Sequence, residues 1–207
     1  MTDYRSFQSL GLRDDLLSRL QQMEFTQMTP VQAAALPSAL EGKDVVAQAS
    51  TGSGKTAAFA LACLQRLENT KFHVQSLVLC PTRELAEQVA ENFRELAKHL
   101  SNTKVTTLCG GVAIGPQIGS LQHSAHVVVG TPGRVLKHLQ KGTLHLHGLT
   151  ALVLDEADRM LDMGFEDEID AIFAYLPSPR QNLLFSATFP DEVAHVVKAL
   201  SPYAVRI

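Results

Sequence analysis

The stretch Asp44-Val45-Val46-Ala47-Gln48-Ala49-Ser50-Thr51-Gly52-Ser53-Gly54-Lys55-Thr56-Ala57-Ala58-Phe59-Ala60-Leu61-Ala62 decides the fold. Its first five residues are almost continuously apolar, as a strand buried on both faces requires. Its last six read as a helix. Between them, a glycine-rich turn leads through Lys55-Thr56 into that helix, which is the pattern of a phosphate-binding loop. The spacing has a physical cause. Glycines let the backbone curl so that successive N–H groups point inward at an anion, and the helix N-terminus adds a favourable dipole. Lys55 then reaches the terminal phosphates, and the Thr56 hydroxyl is placed to ligate Mg²⁺. One departure from the usual pattern is Ala49, where a glycine is expected.

Outward from this loop the same alternation repeats. Short apolar runs at 76–80, 104–109, 126–130, 151–155, 182–186 and 204–207 join 44–48 as strands, separated by amphipathic segments of helix length. Strands alternating with helices predict an α/β domain: a mostly parallel sheet of about seven strands with helices on both faces. Thr29-Pro30 and Thr131-Pro132 each offer an N-cap followed by proline at the first helical position. The chain of 207 residues therefore reads as an arm over 1–42 and one α/β domain over 43–207. In open sheets of this kind ligands gather at the carboxyl ends of the strands. The polar motifs fall there one after another: the phosphate loop, Pro81-Thr82-Arg83-Glu84, Gly110-Gly111, Thr131-Pro132-Gly133-Arg134, Asp155-Glu156-Ala157-Asp158 and Ser186-Ala187-Thr188.

Composition bounds the alternatives. Hydrophobic residues make up 45% and charged residues 19%, which suits a folded core and excludes disorder. A net charge of −3 restricts any nucleic-acid contact to a local patch. Three cysteines, Cys63, Cys80 and Cys109, lie in apolar segments without metal-ligand spacing and read as buried thiols of a reducing compartment. No stretch approaches the roughly 18 apolar residues of a membrane span, and no basic region precedes an apolar run at the N-terminus. The expectation is a cytoplasmic protein without membrane contact. The eight histidines pair with neither Cys nor carboxylate at metal spacing, and Glu166, Asp167, Glu168 and Asp170 read as a solvated helix face.

The two acids ending the apolar run 151–155 are the partner a phosphate loop needs. Asp155 would hold Mg²⁺ through water beside Thr56, and Glu156 would orient and deprotonate the water that attacks the γ-phosphate. Taken without the loop upstream, the same acids would merely complement a helix dipole. Gln32 has two readings that spacing leaves open. Its amide can accept from the adenine amino group while donating to a ring nitrogen, or Thr29 and Gln32 can form a capping box that satisfies a helix end.

Together, these motifs resemble the first RecA-like domain of the DEAD-box ATP-dependent RNA helicases, over essentially the whole chain and in order. Phrases such as 31–37 and 79–86 look most like the bacterial DbpA-type branch. The resemblance implies ATP and Mg²⁺ as cofactors. Its nucleotide residues would be Phe7, Thr26, Gln32, Ser50, Thr51, Gly52, Ser53, Gly54, Lys55 and Thr56, with Phe7 stacking on the base, and Lys55, Asp155 and Glu156 would be catalytic. It further implies RNA backbone contacts from Pro81, Thr82, Arg83, Gly110, Gly111, Thr131, Pro132, Gly133 and Arg134. Ser186 and Thr188, partnered by Asp158, would couple hydrolysis to strand separation. A second RecA-like domain carrying the arginine fingers is expected in a longer protein. Ribosomal RNA or ribosome-assembly particles are candidate targets. Two other functions compete: a nucleotide-gated RNA clamp that does not unwind, and an unrelated phosphate-loop enzyme such as a small-molecule kinase, which the ordered motifs after Gly54 disfavour.

Overall fold

The computed structural model describes residues 5–207. After a 3₁₀ turn at Phe7–Leu10, the elements are α1 (Asp14–Gln22), α2 (Pro30–Leu40), β1 (Val45–Gln48), α3 (Lys55–Gln65), β2 (Ser76–Leu79) and α4 (Arg83–Leu96). They continue with β3 (Val105–Leu108), α5 (Ile114–Gln122), β4 (Val127–Gly130), α6 (Pro132–Lys141) and β5 (Ala151–Asp155). The last are α7 (Ala157–Asp162), α8 (Glu166–Phe173), β6 (Gln181–Ser186), α9 (Asp191–Leu200) and β7 (Val205–Arg206). Seven strands form one sheet in the order β3-β4-β2-β5-β6-β1-β7, and every ladder is parallel.

All seven expected strands are present, most of them one or two residues shorter than the apolar runs. Asp44, Cys80, Lys104, Cys109, His126, Ala204 and Ile207 fall just outside, and Gln181 is added. The strands are apolar throughout because helices cover both faces. One core joins Phe59, Phe93 and Phe185 to α1, α2, α3 and α4; the other joins Leu77, Leu152 and Leu184 to α6, α7, α8 and α9. The ring of Phe59 packs 5.4 Å from Phe185 and 6.2 Å from Phe93, which fixes α3 between the sheet and α4. The segment before β1 shares that first core through Leu16, Leu20 and Leu36. Arg19, almost fully buried, ties α1 to α4 through the Glu95 carboxylate and carbonyl, both at 2.6 Å.

The strand order has one consequence for the site. β6 lies between β1 and β5, with Gln48 level with Ser186 and Asp155 level with Phe185. The Ser-Ala-Thr segment therefore emerges between the phosphate loop and the acid pair.

Helix starts divide. Thr29 caps α2 in a full capping box, its hydroxyl accepting from the Gln32 amide while the Gln32 side chain accepts from Thr29 N–H. Thr82 likewise accepts from Leu85 N–H at 3.2 Å. Thr131 occupies the N-cap position of α6, but its hydroxyl makes no capping bond, contrary to the expectation from Thr-Pro. Proline at N1 sets φ and removes one of the orphan donors by itself. Cys63, Cys80 and Cys109 are buried and free, and burial raises all three thiols above their ordinary range, Cys63 and Cys109 to about 11. The acids at the start of α8 face outward at Glu166, Asp167 and Asp170.

Candidate nucleotide and RNA site

Residues 49–54 join β1 to α3 in a turn with two left-handed glycines, Gly52 (φ 81°) and Gly54 (φ 88°). At Gly54 any side chain would also collide, since a Cβ there would lie 2.6 Å from Gln32 Nε2 and 2.8 Å from Thr29 Oγ1. No side chain caps α3. Its first N–H groups are thus left to an anion, and the helix dipole favours one there.

Lys55, the first residue of α3, is buried to 5% exposure. Its ammonium lies 2.8 Å from Asp155 Oδ1 and 3.6 Å from Glu156 Oε1. Asp155 is fully buried at the end of β5. That burial pushes its carboxyl pKa up, against the opposing charge of Lys55. Neither Asp155 oxygen meets a well-aligned hydrogen-bond donor; Lys55 acts on Oδ1 chiefly through its charge, and the Glu156 amide adds only a minor lowering of the pKa. Ser53 Oγ is likewise buried and unpartnered. A buried carboxylate oxygen without a donor is costly unless something binds it, and a hard divalent cation that takes oxygen ligands fits this position. Thr56, the next residue along α3, supplies a hydroxyl at the adjoining recess.

Glu156 stands in the left-handed region (φ 53°, ψ 53°) as the N-cap residue of α7, yet its side chain does not cap that helix. The backbone turn aims the carboxylate at the loop instead. Thr51 Oγ1 donates to Oε1 at 3.1 Å, and Arg159 Nη1 donates to Oε2 at 3.3 Å. The dipole-complementing alternative for the two acids therefore does not describe their side chains. Beyond them, Asp158 Oδ2 accepts from the Thr188 hydroxyl (2.8 Å) and amide (3.0 Å), and Asp158 N–H donates to Ser186 Oγ at 3.0 Å. Burial alone would raise the Asp158 pKa, but the Thr188 hydroxyl and the Arg159 amide outweigh it and hold the group below the usual carboxylate range. Thr51, Lys55, Glu156, Asp158 and Arg159 border one cleft of about 810 Å³, which Thr82, Glu84, Leu85 and Gln88 also line.

A second recess of about 390 Å³ opens on the other side of the loop, lined by Phe25, Thr26, Gln32, Gly52, Gly54 and Thr56 among others. Gln32 has both ends engaged: Oε1 accepts from Thr29 N–H at 2.9 Å, and Nε2 donates to the Gly54 carbonyl at 3.0 Å. The capping box is formed, so that reading of the spacing is correct; one lone pair and one N–H remain on the amide. Phe7 is placed differently from the expectation. It is 3% exposed, packed in the core, whereas Phe25 is 39% exposed and lines this recess. Sequence reasoning passed over Phe25, although its place in the same Glu24–Gln32 segment was the available signal.

The proposed RNA residues share one edge because β2, β4 and β3 are neighbours. Gly111 (φ 80°) lies against Arg83, whose guanidinium would be 3.9 Å from a Cβ there. Arg83 itself pairs with Glu87 at 2.8 Å on the exposed face of α4. Gly110, Gly111 and Gly133 present backbone at the surface, Pro81 and Pro132 are buried, and Thr82 and Thr131 are partly exposed. Arg134 is not a free cation. Both of its terminal nitrogens donate to the Val112 carbonyl at 3.0 Å, and Nη1 also donates to Gln117 Oε1 at 3.0 Å. Gln117 in turn holds the Cys109 carbonyl and contacts buried His138 Nε2 at 2.9 Å. Arg134 thus braces the loop after Gly110-Gly111, a long-range pairing that spacing does not reveal.

A parallel sheet with a glycine-lined anion turn at one strand end, and an acid pair facing it across an intervening strand, defines a RecA-like nucleotide-binding domain. The chain belongs to the DEAD/DEAH box helicase family, whose model matches residues 29–196. It is 59% identical to the ATP-dependent RNA helicase DbpA of Escherichia coli over 87% of this chain and 39% of that protein. It is 44% identical to the ATP-dependent RNA helicase DeaD of Haemophilus influenzae over 100% of this chain and 34% of that one. The higher identity with DbpA supports the DbpA-type branch. The chain spans well under half the length of these curated relatives. Among solved structures, a DEAD box protein from Methanococcus jannaschii superposes with a TM-score of 0.94 at 40% identity, covering 99% of this chain and 56% of that one. Dbp5 of S. cerevisiae, bound to RNA and ADP BeF3, gives 0.88 at 35% identity over 98% of this chain and 51% of that one.

Proposed function

We propose that this chain is the ATP-binding half of an ATP-dependent RNA helicase, coupling ATP binding and hydrolysis to local duplex unwinding together with a second RecA-like domain. One observation carries the reading: the first turn of α4 belongs to both sites. Thr82, Glu84 and Leu85 line the phosphate cleft, while Arg83 points to the glycine edge proposed for RNA. A shift of that turn would be felt on both sides. That Dbp5, a protein bound to RNA and ADP BeF3, contains a region of this shape supports it further.

In this reading the loop amides and Lys55 hold the phosphates, exchanging the Lys55 contacts with Asp155 and Glu156 for the nucleotide. Asp155 and Thr56 would hold Mg²⁺, which supplies neutralising charge at the phosphates when bound. Glu156, freed from Lys55, orients the attacking water and accepts its proton. Gln32, Thr26 and Phe25 receive the base, with Phe25 rather than Phe7 as the ring available to stack. Backbone N–H groups at Gly110, Gly111 and Gly133, with Arg83 and the Thr82 and Thr131 hydroxyls, contact phosphates without reading bases. Ribosomal RNA or a ribosome-assembly particle is the candidate target on the resemblance alone, and the buried free cysteines suit the reducing cytoplasm.

Glu156→Gln tests the chemistry. With RNA and the second domain supplied, ATP affinity should persist while hydrolysis falls by roughly 10²-fold or more, the range of a lost general base. Normal hydrolysis by Glu156→Gln would end the assignment of the base. Lys55→Ala should instead weaken nucleotide binding itself. A strand-displacement assay separates unwinding from the clamp alternative, in which RNA is held under ATP and no strand is released.

A further inference from the structure

We infer that Arg159 is the positioning residue of the catalytic carboxylate, holding Glu156 in place once nucleotide has taken Lys55; this rests on the reading of Glu156 as the base. Glu156 is held by three groups: Thr51 Oγ1 and Lys55 Nζ on Oε1, at 3.1 and 3.6 Å, and Arg159 Nη1 on Oε2 at 3.3 Å. Two of the three belong to the phosphate loop and its helix, so phosphate binding competes for them. Arg159 is independent of the loop. It sits on α7, three residues after Glu156, and borders the cleft together with Lys55 as the cations among its lining residues.

The carboxylate needs such a hold. Its backbone stands at φ 53°, a conformation that fixes the Cα–Cβ direction but leaves the two outer side-chain torsions free. A base displaced by about 1 Å can lose up to ~10²-fold in rate. Three other arginines, Arg83, Arg134 and Arg180, are committed elsewhere. Arg83 pairs with Glu87, Arg134 binds the Val112 carbonyl, and Arg180 binds Asn182 and the Pro177 carbonyl at the far end of β6. Stability does not account for the Arg159 contact, because an ion pair whose arginine is 56% exposed contributes little to folding.

The test is a double-mutant cycle on ATP hydrolysis, with the second domain and RNA supplied. Arg159→Ala should lower kcat roughly 10- to 100-fold with KM for ATP within about twofold, and Arg159→Lys should recover part of the loss. In a Glu156→Gln background, Arg159→Ala should cause no further loss, because it acts through Glu156. Loss of the same factor in both backgrounds would mean that Arg159 reaches the phosphate itself, and would overturn the inference. So would a wild-type kcat in Arg159→Ala beside an impaired Glu156→Gln. An unimpaired Glu156→Gln would instead refute the base reading beneath it. A readout independent of turnover is the side-chain carboxyl ¹³C resonance of Glu156, assigned through Glu156→Gln, with a non-hydrolysable ATP analogue bound. It should move or broaden in Arg159→Ala and stay near its wild-type position in Arg159→Lys; an unchanged resonance in Arg159→Ala refutes the hold.

Discussion

Gln32 offers two donors and two acceptor lone pairs, and the folded chain uses one of each, on the Gly54 carbonyl and the Thr29 amide. What remains, one N–H and one lone pair beside an exposed Phe25, is the pattern that meets an adenine edge and mismatches guanine. Sequence spacing could not choose between cap and reader because one side chain is fitted for both. The two roles separate by mutation. Thr29→Ala removes the cap hydroxyl and should cost about 1 kcal/mol of stability, read by thermal melts, while leaving ATP preferred over GTP. Gln32→Ala should abolish the preference in competition binding; retained selectivity would leave Gln32 as a cap alone. Phe25→Ala should weaken ATP binding, whereas Phe7→Ala should chiefly destabilise the fold, by ~3–5 kcal/mol for an emptied aromatic site.

The elements themselves were legible because burial on both faces leaves a strong mark, a continuous apolar run between helix-length segments. Their polar termini were legible for the same reason: a parallel sheet sends every strand's carboxyl end to one side. Partners across the fold were not legible. Arg134 reads as a free cation until the loop before α5 brings Val112 and α5 brings Gln117 to it, and Thr131 reads as a cap until its hydroxyl is seen to make no capping bond. The joint between β6 and α7 is where these elements carry a consequence. Thr188 and the Arg159 amide lower the Asp158 pKa, so the stabilisation is present above the ordinary Asp value of ~3.9 and is lost as pH falls through the lower folded value. Thr188→Ala should therefore be less stable than wild type at neutral pH. The gap should narrow below about pH 4, and melts at both pH values would expose an error if it stayed constant. The same variant should hydrolyse ATP yet release less RNA strand, since it loosens the segment lying between phosphate loop and acid pair.

For the whole molecule, charge and cleft geometry set what this chain can do by itself. Its net charge is −3, and Arg83 and Arg134 at the proposed RNA edge are already paired or bracing. Few phosphates can be neutralised, so RNA binding by this chain should be weak, and its logarithmic salt slope should lie between about −1.4 and −2.1 if two or three phosphates are met, at ~0.7 each for a single strand. The phosphate cleft of about 810 Å³ is bordered by two cations, Lys55 and Arg159, and Arg159 is engaged with Glu156. That leaves no free arginine, among the described residues lining it, for the transferring phosphate. An arginine of that kind contributes about 10³–10⁵ in rate in related phosphoryl-transfer enzymes. We therefore expect the isolated chain to bind ATP and hydrolyse it only at a trace rate, with or without RNA. Adding the second RecA-like domain of a DbpA-type relative should restore RNA-stimulated turnover. Robust RNA-stimulated hydrolysis by the isolated monomer, with the monomer verified by light scattering, would place a catalytic arginine within this chain, and Arg159 would be the first to replace.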